Sequence, residues 1–200
     1  MKKIRMVLGP NGAGKTTMAY ALITDLEEGY EDFLNADEIA KGISPMRPES
    51  ANLEAGKLML RKLRLYLQER RSFIFEITGS ARIYDKYLKD AKNAGYKINL
   101  LFLWLSSPEQ AVKRVALRVK QGGHNIPKED IVRRYYRGLK NLLDIYLPIA
   151  DTAYVVNNSM PELDTIKIIA RKEDKNTLFI EDEEIWEKIQ RDAECQNLMN

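Results

Sequence analysis

The stretch that decides the fold is residues 3–17, Lys-Ile-Arg-Met-Val-Leu-Gly-Pro-Asn-Gly-Ala-Gly-Lys-Thr-Thr. Lys3 to Leu8 is mostly apolar and has the length of a short buried strand. The next eight residues are Gly9, Pro10, Asn11, Gly12, Ala13, Gly14, Lys15 and Thr16. They satisfy G-x-x-x-x-G-K-[ST] without a mismatch, and a helical pattern follows from Lys15. The spacing has a physical reason. Gly12 and Gly14 can take backbone angles that turn several N–H groups inward. Those donors and the helix N-terminus make a concave anion site. Lys15 reaches the β- and γ-phosphates, and Thr16 offers its hydroxyl to Mg²⁺. Residues Gly9 to Thr17 are therefore the expected nucleotide-binding segment.

Outward from this loop, strands and helices alternate. The first helix is expected from Lys15 to Leu26, with Ala19, Leu22, Ile23 and Leu26 on one face. A strand is read at Phe33–Asn35. A loop at Ser44-Pro45 and Arg47-Pro48 precedes a long helix over 49–69, with Leu53, Leu58, Leu60, Leu63 and Leu67 as its apolar positions. Strand 72–76 leads into the turn Thr78-Gly79-Ser80 and a helix that Gly95 ends. Residues 97–105 are apolar on both faces, as in a central parallel strand. Ser106-Ser107-Pro108 opens a helix to Lys120. After the loop 121–127 come a helix over 128–147, a strand at 152–156, a hairpin from 166–170 and 177–180, and a last helix over 183–191. This alternation predicts an α/β fold: a mainly parallel sheet with helices on both faces and the ligand at the C-terminal strand ends. At 200 residues one domain is expected, with a lid at about 114–134 and a C-terminal extension at about 160–200.

Composition narrows the function. Lys plus Arg number 32 against 29 acids, a formal charge of +3, which argues against a dedicated nucleic-acid binder. One cysteine, Cys195, allows no internal disulfide, and one histidine, His124, no histidine metal cluster. No leader-like or membrane-length apolar run is present, so a soluble, cytoplasmic protein is expected.

Several acids and bases fall around the loop. Asp37 follows the second strand and has two readings. Its carboxylate could take the proton of an acceptor hydroxyl, or it could cap a helix. Glu76 closes the third strand. It could orient Mg²⁺ or hold substrate hydroxyls, or be a solvated strand end. Arg114 and Arg118 share a helix face, where they could neutralise transferred phosphate or be an ordinary charged surface. Arg133, Arg134 and Arg137 form another basic face. His124 reads as a structural loop residue, and Tyr135 and Tyr136 as packing.

Together, GPNGAGKTT, FLNADEIAKGISP, SFIFEITGSAR, AVKRVALRVKQGGHNIP and RRYYRGLKNL resemble the zeta toxin-like kinases of the P-loop kinase superfamily. The resemblance covers about residues 4–158. It implies a three-layer P-loop kinase fold with a lid, and transfer of the γ-phosphate of ATP or GTP, with Mg²⁺, to a sugar hydroxyl of UDP-N-acetylglucosamine. It implies Lys15 as the triphosphate lysine, Thr16 as the Mg²⁺ ligand and Asp37 as the catalytic base. Glu76 would bind substrate, as would Thr78, Ser80 and Arg82 of the following turn. Arg114 would be a lid arginine, with Arg118, then Arg134, as the second. Ile77 and Ala81 depart from the E-T-T-x-S-G-R pattern of the small relatives. An antitoxin partner fits the resemblance, although no residue indicates one. A kinase for another metabolite or nucleotide remains an alternative. So does a P-loop ATPase acting through a partner, although no L-S-G-G-Q signature appears.

Overall fold

The computed structural model describes residues 1–24, 32–123, 125–160, 167–173 and 177–195. Among the described residues seven strands form one sheet in the order β2-β3-β1-β4-β5-β6-β7. β1 (Lys3–Leu8) lies between β3 (Phe73–Ile77) and β4 (Lys97–Trp104), parallel to both. β2 (Asp32–Asn35) pairs parallel with β3, and β5 (Thr152–Asn157) parallel with β4. β6 (Lys167–Lys172) and β7 (Leu178–Ile180) then extend the sheet antiparallel.

The two faces of the central strands are buried differently. Val7 and Ile74 meet Ala19 and Leu22 of α1 (Lys15–Thr24) in a small cluster. Met6, Leu8, Phe73 and Phe75 face the main core. There Phe73 packs against Tyr66 of α3 (Asn52–Gln68), and Phe75 meets Tyr84 of α4 (Tyr84–Asn93) edge-on at 4.9 Å. Helices thus cover both faces, which explains why these strands are nearly continuous apolar runs.

Most predicted elements stand within a residue or two. Ser107 accepts a hydrogen bond from the Gln110 backbone N–H and starts α5 (Pro108–Lys120) as read. Gly95 takes φ +83° after α4. Four differences are informative. The long helix begins with a 3₁₀ turn at Pro48–Ala51. Its inner face is Ala55, Met59, Leu63 and Tyr66, whereas Leu53 is 74% exposed. Leucines lie all round this helix, so their positions alone did not identify the buried side. β3 runs one residue further, through Ile77, which makes Glu76 its penultimate residue. The helix expected over 128–147 is α6 (Lys128–Asn141), a π-helical turn (Leu142–Tyr146) and a last turn, α7 (Leu147–Ile149).

The C-terminal region joins the same body. α8 (Glu183–Glu194) buries Trp186, Ile189 and Ala193 against the main core. Its N-cap is Asp182, which accepts from the Ile185 N–H. The ends of the first predicted helix and of the hairpin's first strand, and His124, lie outside the described residues. Among the described residues no helix is long and apolar enough to cross a membrane.

Candidate active site

At the C-terminal ends of β1, β2 and β3 lies a cleft of about 480 Å³, lined by Lys15, Thr16, Asp37 and Glu76 among others. The glycine loop forms its floor. Gly9, Gly12 and Gly14 all have positive φ, at +147°, +78° and +80°. Space is as restrictive as the angles. A Cβ on Gly9 would stand 2.4 Å from the Leu103 carbonyl oxygen, and one on Gly12 2.9 Å from Cβ of Arg114. The loop is therefore pressed between β4 and α5, where only glycine backbone fits. Asn158, just past β5, braces it by donating from Nδ2 to the Ala13 carbonyl at 2.7 Å. Lys15 is buried, and its Nζ donates to the Pro10 carbonyl at 3.0 Å. Burial lowers the Lys15 pKa, against the attraction of Glu76 and Asp37.

Glu76 is only 8% exposed, so it is no solvated strand end. Its two oxygens accept from Thr16 Oγ1 at 3.1 and 2.9 Å, and Oε2 also accepts from Asn35 Nδ2 at 2.6 Å. Parallel pairing of β2 with β3 sets Asn35 directly opposite Glu76. Burial pushes the Glu76 carboxyl up from its ordinary value, although Lys15 and the two hydrogen-bond donors pull it down.

Asn35 removes the capping reading of Asp37. It is the N-cap of α2 (Ala36–Ile43), and its Oδ1 accepts from the Asp37 and Glu38 N–H groups at 2.7 and 3.3 Å. The capping role is already filled, and the Asp37 side chain lines the cleft from the first helical turn.

Three arginines line the same cleft: Arg114 and Arg118 from α5, and Arg134 from α6. Arg114 donates to the Ser159 carbonyl at 3.0 Å. Arg118 and Arg134 both act electrostatically on Lys15. Gly123 folds back on Arg118, donating to its carbonyl at 2.9 Å, and Gly122 turns the chain at φ +89°.

The remaining expected site residues divide. Asn11, Gly12, Gly14, Thr16, Thr17 and Thr78 line the cleft, while Gly9, Pro10 and Ala13 form the back of the loop. Ser80 does not line it and is bonded to Thr78 at 2.9 Å. Arg82 is exposed and off the cleft, because the turn after β3 carries it outward before α4 begins. Arg133 points to solvent and pairs with Asp130. Tyr135 is buried and donates to the Leu105 carbonyl at 2.8 Å, a packing role as expected. Sequence reading missed Asn35, Asn158 and Tyr84. Asn35 carried a signal, since Asn before an Ala-Asp-Glu run is a helix-start pattern.

The oxygen donors fit a small hard cation. Thr16 Oγ1 and Glu76 stand side by side, the combination through which Mg²⁺ binds with nucleotide phosphates. Among the described residues no cluster of three or more His, Cys, Asp or Glu could hold a metal by itself.

The model of the AAA domain family matches residues 4–139. An uncharacterized protein of Haemophilus influenzae is 30% identical over 128 residues, which are 64% of this chain and 88% of that protein. Among solved structures, the AvrRxo1-ORF1:AvrRxo1-ORF2 complex with sulphate ions aligns at a TM-score of 0.73 with 16% identity. It covers 94% of this chain, which spans 63% of that one. The PezAT toxin-antitoxin system of Streptococcus pneumoniae aligns at 0.65 with 15% identity, covering 99% of this chain and 87% of that one. At these identities the two structures establish a shared fold.

Proposed function

The chain belongs to the AAA domain family, and from that premise we propose that it is a nucleotide-dependent kinase with a hydroxyl acceptor. One observation carries the reading. Lys15, Thr16, Asp37 and Glu76 converge on a single cleft that Arg114, Arg118 and Arg134 also line. A site for nucleotide binding alone would need the loop. A carboxylate facing it across the cleft, with three arginines, suits phosphoryl transfer.

In the proposed reaction ATP or GTP lies with its phosphates in the loop, held by backbone N–H groups and Lys15. An acceptor hydroxyl lies between Asp37 and the γ-phosphate. Its oxygen bonds to the γ-phosphorus as the bond to the β–γ bridging oxygen breaks, and the nucleoside diphosphate leaves. The hydroxyl proton passes to the Asp37 carboxylate. Arg114, Arg118 and Arg134 offset the charge on the equatorial oxygens, and closing the lid excludes water. Thr16 and Glu76 would hold Mg²⁺, which supplies further charge neutralisation at the phosphates. Thr78 borders the acceptor end, with Tyr84 beside it.

The finer proposal is a zeta toxin-like activity on UDP-N-acetylglucosamine in the cytoplasm. The sequence resemblance supports it, and the PezAT system shares the fold alone. The test is a screen of amino-sugar nucleotides, nucleosides and small hydroxyl metabolites with ATP or GTP and Mg²⁺. Asp37→Asn should bind nucleotide as wild type does and lose transfer. Wild-type transfer by that variant would refute the base assignment. Transfer only to acceptors other than amino-sugar nucleotides would move the substrate class. Acceptor-independent hydrolysis would favour an ATPase.

A further inference from the structure

The turn that borders the acceptor end of the cleft is held from behind by α6 and its π turn. Asn141 is 5% exposed and donates from Nδ2 to the Gly79 carbonyl at 2.9 Å. The Tyr146 hydroxyl donates to the Ala81 carbonyl at 2.7 Å. About one helical turn before Asn141 the backbones touch. A Cβ on Gly138 would stand 3.0 Å from the Thr78 carbonyl oxygen. Gly79 itself has φ +78°.

These contacts depend on the π turn. Along an α-helix, Asn141 and Tyr146 would point about 140° apart at roughly 100° per residue. Across a π-helical turn of roughly 4.4 residues the separation falls to about 50°. The widened turn therefore puts both donors on the face that meets Thr78–Ala81. At its other end the same helix carries Asp130 and Arg134, which line the cleft at the lid. A glycine inside a helix costs about 1 kcal/mol relative to alanine. Gly138 has a contact that explains that cost.

We propose that Asn141 and Tyr146 are positioning residues for the acceptor, through which α6 keeps the Thr78–Ala81 turn in register with the lid arginine Arg134. The proposal rests on the kinase reading above. Nucleotide that draws Arg134 onto its phosphates pulls on a continuous helix, and the turn follows through its two carbonyls. The acceptor end is then set only when nucleotide is bound, which limits loss of phosphate to water.

The test uses the full chain and Mg²⁺ with AMP-PNP, a slowly hydrolysed ATP analogue. Hydrogen–deuterium exchange is followed in peptides covering 77–83. In wild type the analogue should slow exchange there by about tenfold, the effect of stabilising one buried hydrogen-bonded turn. Tyr146→Phe keeps the ring and removes only the donor. Asn141→Ala removes the other donor. Both should bind AMP-PNP within about twofold of wild type yet lose most of the protection, because Kd reports the loop and protection reports the coupling. Equal protection in wild type and variants, or binding without protection in wild type, would overturn the proposal. Failure of wild type to bind AMP-PNP would overturn the nucleotide reading itself.

Discussion

Replacing Gly12 by alanine isolates what the glycine loop contributes. The residue sits at φ +78°, where an L side chain costs about 1–2 kcal/mol. Its new Cβ would lie 2.9 Å from Cβ of Arg114 and 3.1 Å from the Ala111 carbonyl oxygen. Neither atom is the loose end of a side chain. One is fixed to the α5 backbone and the other belongs to it, so overpacking adds about 1–3 kcal/mol. The sum, about 2–5 kcal/mol, falls on the loop conformation that nucleotide needs. Any part the loop escapes by relaxing reappears as lost affinity. Binding of a fluorescent ATP analogue should therefore weaken by about 30-fold to several thousandfold. Gly56→Ala is the matched control, since it lies within α3 with nothing within 4 Å of its Cβ. It should leave nucleotide affinity unchanged and stabilise the fold by about 0.5–1 kcal/mol. A Gly12→Ala protein with wild-type melting and a Kd within about threefold of wild type would refute the packing argument.

Other perturbations probe the rest of the site. Burial raises the Glu76 pKa, so the folded chain binds that proton more tightly than the unfolded chain. Its contribution to stability falls as pH rises from the ordinary carboxylate range through the raised pKa. Glu76→Gln should flatten that part of the stability–pH curve in chemical denaturation, and at pH 7 it should be at least as stable as wild type while losing Mg²⁺-dependent transfer. Arg134→Ala should slow transfer by on the order of a thousandfold in a phosphoryl-transfer assay, with a much smaller change in nucleotide Kd. Trp186 is 8% exposed on α8, and Trp186→Ala should cost about 3–5 kcal/mol in urea unfolding.

The legible parts of the chain were those whose physics is local. A six-residue strand, three glycines at fixed offsets and a lysine specify a phosphate-binding turn wherever they occur together. Ser107-Pro108 starts a helix through its own hydroxyl and ring. The apolar run of β4 called for cover on both faces, as in a central parallel strand. Parts that depend on partners distant in sequence were harder to read. The buried side of α3 follows from what it packs against, Ala55 on Ala40 of α2 and Tyr66 on Phe73 of β3, and of its leucines Leu63 is buried while Leu53 is exposed. Arg82 sits in a matching motif, yet the path of the turn after β3 carries it away from the cleft.

The sequence by itself determined the phosphate-binding loop, the alternation of strands and helices, and the residue types around the cleft. Tertiary structure decided where each of those residues sits and what it meets. Asp37 faces the cleft because Asn35 fills the cap. Glu76 is buried because Asn35 lies opposite it in register and Thr16 bonds to it. Arg134 joins the arginines of α5 because α6 packs against α5. Each outcome depends on groups from separate strands and helices meeting at one point. Such meetings arise from strand order and register, which no local window of sequence contains.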